Sequence, residues 1–191
     1  MIAKHRHFII HKPFGFLSQF INNQTKRKKK LLGELYDFPE KTMAIGRLDV
    51  ASEGLLLLTT EGKVSEEIRS NKFEKEYYVQ VDGLITNKAI KQLKNGVEIG
   101  FNRQKYITKP CKVFAIDNPN FPLRTKKIRD PRHGPTSWIS IILREGKFRQ
   151  VRKMTAAVGY PTLRLVRVRV GNLLLGDLKS GEVREVTSFK N

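Results

Sequence analysis

The sequence predicts a mixed protein of strands and short helices that follow one another along the chain, and three observations carry that reading. Short runs rich in Ile, Val and Leu end at Gly or Pro, as strands do. Between them lie helical patterns only a few turns long, with apolar residues spaced i, i+3, i+4. Hydrophobic residues make up 39% of the 191, enough to fill one substantial domain or two small packed subdomains.

Residues 8–12, Phe-Ile-Ile-His-Lys, form a first strand, stopped by Pro13 and turned at Gly15. The block Lys26-Arg27-Lys28-Lys29-Lys30 sits in a loop with Asn22, Asn23 and Gln24, and a short helix is expected over residues 31–36. Leu55-Leu56-Leu57-Leu58 reads as a buried strand. A helix over residues 63–70 turns Val64 and Ile68 inward. In the strand over residues 75–83, Tyr77, Val79 and Val81 share one face, and Tyr78, Gln80 and Asp82 the other. Thr86 or Asn87 caps a helix that ends at Asn95-Gly96. Residues 97–99, 106–109 and 112–116 are expected as strands of a meander. Residues 117–137 form a long loop with Arg124, Lys126, Lys127, Arg129 and Arg132 against Asp117 and Asp130, and loops of that length are functional or disordered more often than neutral. Residues 138–143 are a strand, followed by a helix over 148–158 whose stripe Val151, Met154, Thr155, Val158 faces the core. The last long strand, residues 162–170, changes phase at Leu165-Val166, and Arg164, Arg167 and Arg169 read as exposed.

Lys and Arg number 37 against 18 Asp and Glu, a net charge of +19. Such an excess repels itself in the folded state and implies a polyanionic partner. No apolar run approaches the ~20 residues of a membrane helix and no signal peptide opens the chain, so a cytoplasmic nucleic acid is expected, not a membrane. A single cysteine, Cys111, excludes an internal disulfide. The four histidines show no zinc spacing, and His5 and His7 read as part of the basic surface. With no nucleotide or hydride-transfer motif either, no metal and no cofactor are expected.

The stretch with the most chemistry is Gly46-Arg47-Leu48-Asp49-Val50-Ala51-Ser52-Glu53-Gly54, immediately before the four leucines. It places Asp49 and Arg47 two residues apart in a loop with glycines at both ends. An acid at the mouth of an apolar strand is poorly solvated, and a nearby cation then matters. Composition alone favours an ordinary turn with both charges in water. The order of residues, however, resembles the second motif of the pseudouridine synthases, in the branch that modifies bacterial ribosomal RNA, and Asp49 stands where that family keeps its essential aspartate.

Three other stretches extend the resemblance, which runs from residue 8 to residue 187. His11-Lys12-Pro13-Phe14-Gly15 is similar to the family's Asn-Lys-Pro-x-Gly, with histidine replacing asparagine. Lys75-Glu76-Tyr77 is similar to its Lys-x-Tyr, although the pattern alone favours Tyr77 as a core aromatic. Gly146-Lys147-Phe148-Arg149-Gln150-Val151-Arg152 resembles the third motif, whose basic residue after Gln-Val, here Arg152, pairs with the aspartate. Leu165 matches a leucine packed beside that aspartate, a position that core packing explains as well. The fold the resemblance implies is a mixed, mostly antiparallel central sheet shared by two subdomains with flanking helices. The family's N-terminal S4-type RNA-binding domain is expected to be absent, as in the short synthases of large-subunit ribosomal RNA.

The chemistry so implied is conversion of a uridine in ribosomal RNA, expected in 23S, to pseudouridine. Asp49 acts at ribose C1′ or C2′, Tyr77 takes the C5 proton or leads to a base, and Arg152 holds the aspartate. Arg47 fills the stack vacated by a flipped base or holds the phosphate, or else pairs with Glu53 or Asp49. RNA contacts are expected at Lys12, at Lys26, Arg27, Lys28, Lys29 and Lys30, at Arg132, and at Lys147, Arg149, Gln150 and Leu165. The chain is expected to act as a monomer. Two rivals remain at this level: a non-catalytic RNA-binding or ribosome-assembly protein, and a hydrolase using Asp49 and Glu53 as an acid pair.

Overall fold

The computed structural model describes residues 5–22, 29–70 and 72–189, and Lys26, Arg27 and Lys28 lie outside them. Within them the strands are β1 (His7–Lys12), β2 (Met43–Ile45), β3 (Glu53–Thr59), β4 (Lys75–Asp82), β5 (Glu98–Phe101), β6 (Gln104–Ile107), β7 (Lys112–Ile116), β8 (Thr136–Leu143), β9 (Thr162–Val170), β10 (Leu173–Leu174) and β11 (Val183–Val186). The helices are α1 (Gly62–Arg69), α2 (Asn87–Asn95) and α3 (Gln150–Ala157). The class is α+β with a mostly antiparallel central sheet, as expected. Contacts divide the chain into two units, the first up to Phe73 and again from Arg167, the second Glu74–Val166.

In the first unit the strand order is β11-β1-β3, then the part of β9 from Arg167 on, with β2 also on β3 and β10 on β9. β1 is antiparallel to both neighbours, pairing Ile9 with Leu57 and with Arg184. β3 is buried along its whole length, which explains its near-continuous leucines. On α1 Ile68 is buried, Val64 half-buried, and Ser65 completes the inner face.

The second unit orders β9 up to Val166, then β4, β8 and β7. β8 is antiparallel to β4 and to β7, with Tyr77 opposite Ile141 and Val113 opposite it from the other side. Its core joins Val79 and Val81 of β4, Ile90 and Leu93 of α2, Ile139 and Ile141 of β8, Val151 and Met154 of α3, and Leu165. Thr86 caps α2 by accepting from the Ala89 N–H at 3.3 Å.

Four expectations need correction. The helix over 31–36 is only a 3-10 turn, Leu32–Glu34, with poorly helical Gly33 at its centre. The meander is broken: β5 and β6 form their own two-stranded sheet and β7 joins β8. Asn102 and Arg103, at φ 50° and 62°, turn that hairpin, and Pro110 separates it from β7. α3 starts at Gln150, two residues late, because Arg149 adopts the left-handed conformation at φ 52° and ψ 32°. Finally, Arg164 and Arg167 are buried. The phase change at Leu165-Val166 falls where β9 passes from one unit to the other, and Arg164, Leu165, Val166 and Arg167 are all buried there.

Candidate active site

The Asp49 loop is built from backbone pairing within the first unit. Gly46 and Gly54 sit at φ 73° and 103°, where side-chain-bearing residues are strained. A Cβ on Gly54 would stand 2.3 Å from the Arg167 carbonyl oxygen, so the loop enters β3 through a passage only glycine fits. Ser18 clamps the loop from the side: its Oγ donates to the Leu48 carbonyl and accepts from the Leu48 N–H, both at 3.0 Å. The Gly15 N–H donates to the Val50 carbonyl at 2.8 Å, and the Ser52 N–H to the Asp49 carbonyl at 2.9 Å. Asp49 is thereby held half-buried on a backbone fixed before and after it.

Beneath the loop lies a group of buried charges that the sequence did not announce. Lys12 is fully buried; its Nζ donates to the carbonyls of Pro13 at 2.9 Å and Phe16 at 2.8 Å. Burial pushes its ammonium down to about 7, the negative charges of Glu53 and Asp49 resist that fall, and Arg167 adds to it. Glu53 is 1% exposed, and Arg167 donates from Nε to the Leu55 carbonyl at 2.7 Å. Lys12 is therefore no RNA contact. Its place is structural and electrostatic, bracing the turn after β1 and setting a cation near Asp49. Glu53, facing this cation from inside, is no solvent-side partner acid for Asp49. The one available clue was an acid and a lysine at the ends of runs that are otherwise apolar.

Arg47 is exposed and makes no ion pair among the described residues, which removes the pairing alternatives and leaves it open to a ligand. Lys29 is half-buried and Lys30 exposed, with Lys30 Nζ 5.4 Å over the Phe16 ring. His7, expected at the surface, is buried with Nδ1 2.9 Å from Thr59 Oγ1. His11, in the place of the family's asparagine, shares a 2.8 Å hydrogen bond between Nδ1 and the Leu178 carbonyl.

In the second unit, Tyr77 is half-buried and packs against the core on the face of Val79 and Val81, as the alternation of β4 requires. Leu165 is 5% exposed within the same core, so it serves packing and offers RNA no surface. Arg152 is half-buried on α3. The turn before α3 is fastened by Gln150, whose Oε1 accepts from the Lys147 N–H at 3.0 Å and whose Nε2 donates to Glu145 at 2.8 Å. Glu145 also accepts from the Lys109 N–H at 2.6 Å. Gln150 is 5% exposed with its amide spent internally, so the expectation of an RNA contact there is corrected to a role in shaping the turn. Lys147 Nζ lies 4.9 Å over Phe101 and 5.0 Å over Tyr106. Arg149 and Phe148 stand exposed above this base. Arg132 is exposed in the long loop, bonded to Asp130 at 3.0 Å.

Among the described residues no group of three or more His, Cys, Asp or Glu is arranged to hold a metal ion, and no helix is long and apolar enough to cross a membrane.

Known proteins resemble this chain in sequence and in fold. Residues 6–157 match the family described as RNA pseudouridylate synthase. The chain is 40% identical over 182 residues to the ribosomal large subunit pseudouridine synthase E of Vibrio parahaemolyticus, covering 93% of this chain and 72% of the relative. It is 37% identical over 179 residues to the protein of the same name from Xanthomonas campestris, covering 92% of each. A crystal structure of a pseudouridylate synthase superposes with a TM-score of 0.76 at 27% identity, covering 97% of this chain and 71% of that one. A loop built around Asp49, a buried leucine strand behind it and these relatives agree, and the chain belongs to the RNA pseudouridylate synthase family.

Proposed function

We propose that the protein converts a uridine of 23S ribosomal RNA to pseudouridine, with Asp49 as the carboxylate that acts at ribose C1′ or C2′. The bond from C1′ to uracil N1 breaks, the base turns, and C5 bonds to the same sugar carbon. Positive charge grows on the sugar as the first bond breaks, and a fixed carboxylate beside C1′ opposes it. The sequence of steps is redox-neutral and needs no outside nucleophile. Arg152 pairs with Asp49 and holds its charge and direction; Tyr77 takes the C5 proton or passes it on. The target must leave its stack, and exposed Arg47 fills the vacated space. Arg132, Lys147, Arg149 and the cations from Lys26 to Lys30 contact phosphates, and the protein works as a cytoplasmic monomer without a cofactor.

The observation that carries the reading is the half-buried Asp49 on a loop whose backbone is pinned at Leu48, Val50 and Ser52. The large-subunit assignment rests on the names of relatives at 37% and 40% identity. The test incubates the protein with separate 23S and 16S transcripts and maps pseudouridine chemically. Conversion at a defined uridine of 23S is expected. Conversion confined to 16S would overturn the assignment of subunit, and binding of both with no conversion of either would overturn the enzymatic reading.

A further inference from the structure

The cavity of about 710 Å³ in the second unit has no part in the chemistry above, and its lining points to a ligand. It lies between the 123–129 segment of the long loop and the start of β8, over the face of β4 that carries Gln80 and Asp82. Two of its lining residues each carry a buried polar atom without a hydrogen-bond partner among the described residues: the acceptor Oε1 of Gln80 and the donor Nε of Arg129. Both groups are otherwise anchored. Gln80 Nε2 donates to Thr136 Oγ1 at 3.0 Å. Arg129 donates from Nη1 to Asp82 at 2.7 Å, and from Nη2 to the carbonyls of Gly134 at 2.8 Å and Pro135 at 3.0 Å. Each unmatched atom costs free energy as long as it stays so.

The rim is cationic and, at one point, apolar. Lys126 and Lys127 are exposed, Lys127 reaching toward Asp130 at 3.6 Å, and no carboxylate belongs to the lining. Leu123, at 97% exposure, offers an uncovered apolar surface beside them. A ligand that answers all of this carries a planar edge with one N–H and one acceptor, an apolar face, and negative charge on either side. An unpaired nucleotide within an RNA strand has these three properties, and the volume is in the range of ordinary ligand pockets.

We propose that this cavity is a second nucleotide site. It takes one unpaired base of the RNA substrate other than the target uridine, edge against Gln80 and Arg129, with neighbouring phosphates on Lys126 and Lys127. The inference rests on the reading of the protein as an RNA modifier and adds to it a determinant of substrate choice other than the converted base. The two unmatched atoms are buried, so the base reaches them only as the lining rearranges on binding.

Leu123 is the place to test this, since so exposed a side chain can be replaced without disturbing folding. The Leu123→p-benzoylphenylalanine variant is bound to a 23S transcript, irradiated, and the attachment point read by primer extension, with conversion of the target followed in the same sample. A single unpaired nucleotide distinct from the converted uridine is expected. Attachment scattered along the transcript, no attachment, or attachment at the converted uridine would each overturn the second site, while continued conversion would leave the enzymatic reading standing. Gln80→Leu supplies an independent arm. It is expected to lower kcat/KM roughly tenfold on a transcript containing the attached nucleotide, and not on a fragment trimmed to the target's own stem and loop. An equal loss on both would mark Gln80 as merely structural and overturn its role.

Discussion

Lys12 shows most plainly how one side chain's environment sets a measurable property. It is fully buried, and its ammonium titrates at about 7 where an ordinary lysine holds its proton to 10.5. Between those values the unfolded chain binds more protons than the folded one, so Lys12 makes stability rise with pH across that window, and its contribution levels off below about 7. Replacing it as Lys12→Met is expected to reduce that rise by up to about 1.4 kcal/mol per pH unit, read from urea unfolding at pH 7, 8 and 9. Identical pH dependence in variant and wild type would remove Lys12 from the buried charge group. The only local mark of Lys12's burial is its place at the end of an apolar run, because the charges around it, Glu53 and Arg167, come from far along the chain. Asp49, by contrast, is half-buried, as its place just before an apolar strand implies.

Among the elements, α3 and the turn before it couple structure to function most tightly. Arg149 holds a left-handed conformation that costs a residue with a side chain of order 1 kcal/mol, and it stands exposed beside Phe148. Glycine carries no such cost. Arg149→Gly is therefore expected to raise stability by up to about 1 kcal/mol while weakening RNA binding, measured by thermal melting and by titration with a 23S transcript. A variant that melts lower, or binds RNA unchanged, would contradict the assignment. The core stripe of this helix was readable from its spacing, but its start was not, because it is set by the left-handed Arg149 and by Gln150, the first helical residue, whose side chain is spent on Lys147 and Glu145. β9 failed in the same way. Its alternating arginines read as a strand with one wet face, yet Arg164 and Arg167, three residues apart and so on opposite faces, are both buried. β3 succeeded because burial on both faces leaves an unbroken apolar run in the sequence itself.

For the molecule as a whole, the governing quantity is a net charge of +19. Affinity for RNA from such a surface comes largely from released counterions and falls steeply with salt. Neutralising the block from Lys26 to Lys30 is expected to weaken binding at low salt and flatten the dependence of log affinity on log salt by several units, roughly one per lost phosphate contact. An unchanged slope would take that loop out of the interface. Charge explains attachment to RNA but not conversion, and conversion is what separates an enzyme from a basic coat. That burden falls on one carboxylate, so the most direct measurement compares wild type with Asp49→Asn on the same 23S transcript, scoring pseudouridine and affinity together. Conversion abolished with affinity changed by less than about threefold is the predicted result; conversion that survives in the asparagine variant would contradict the account at its centre.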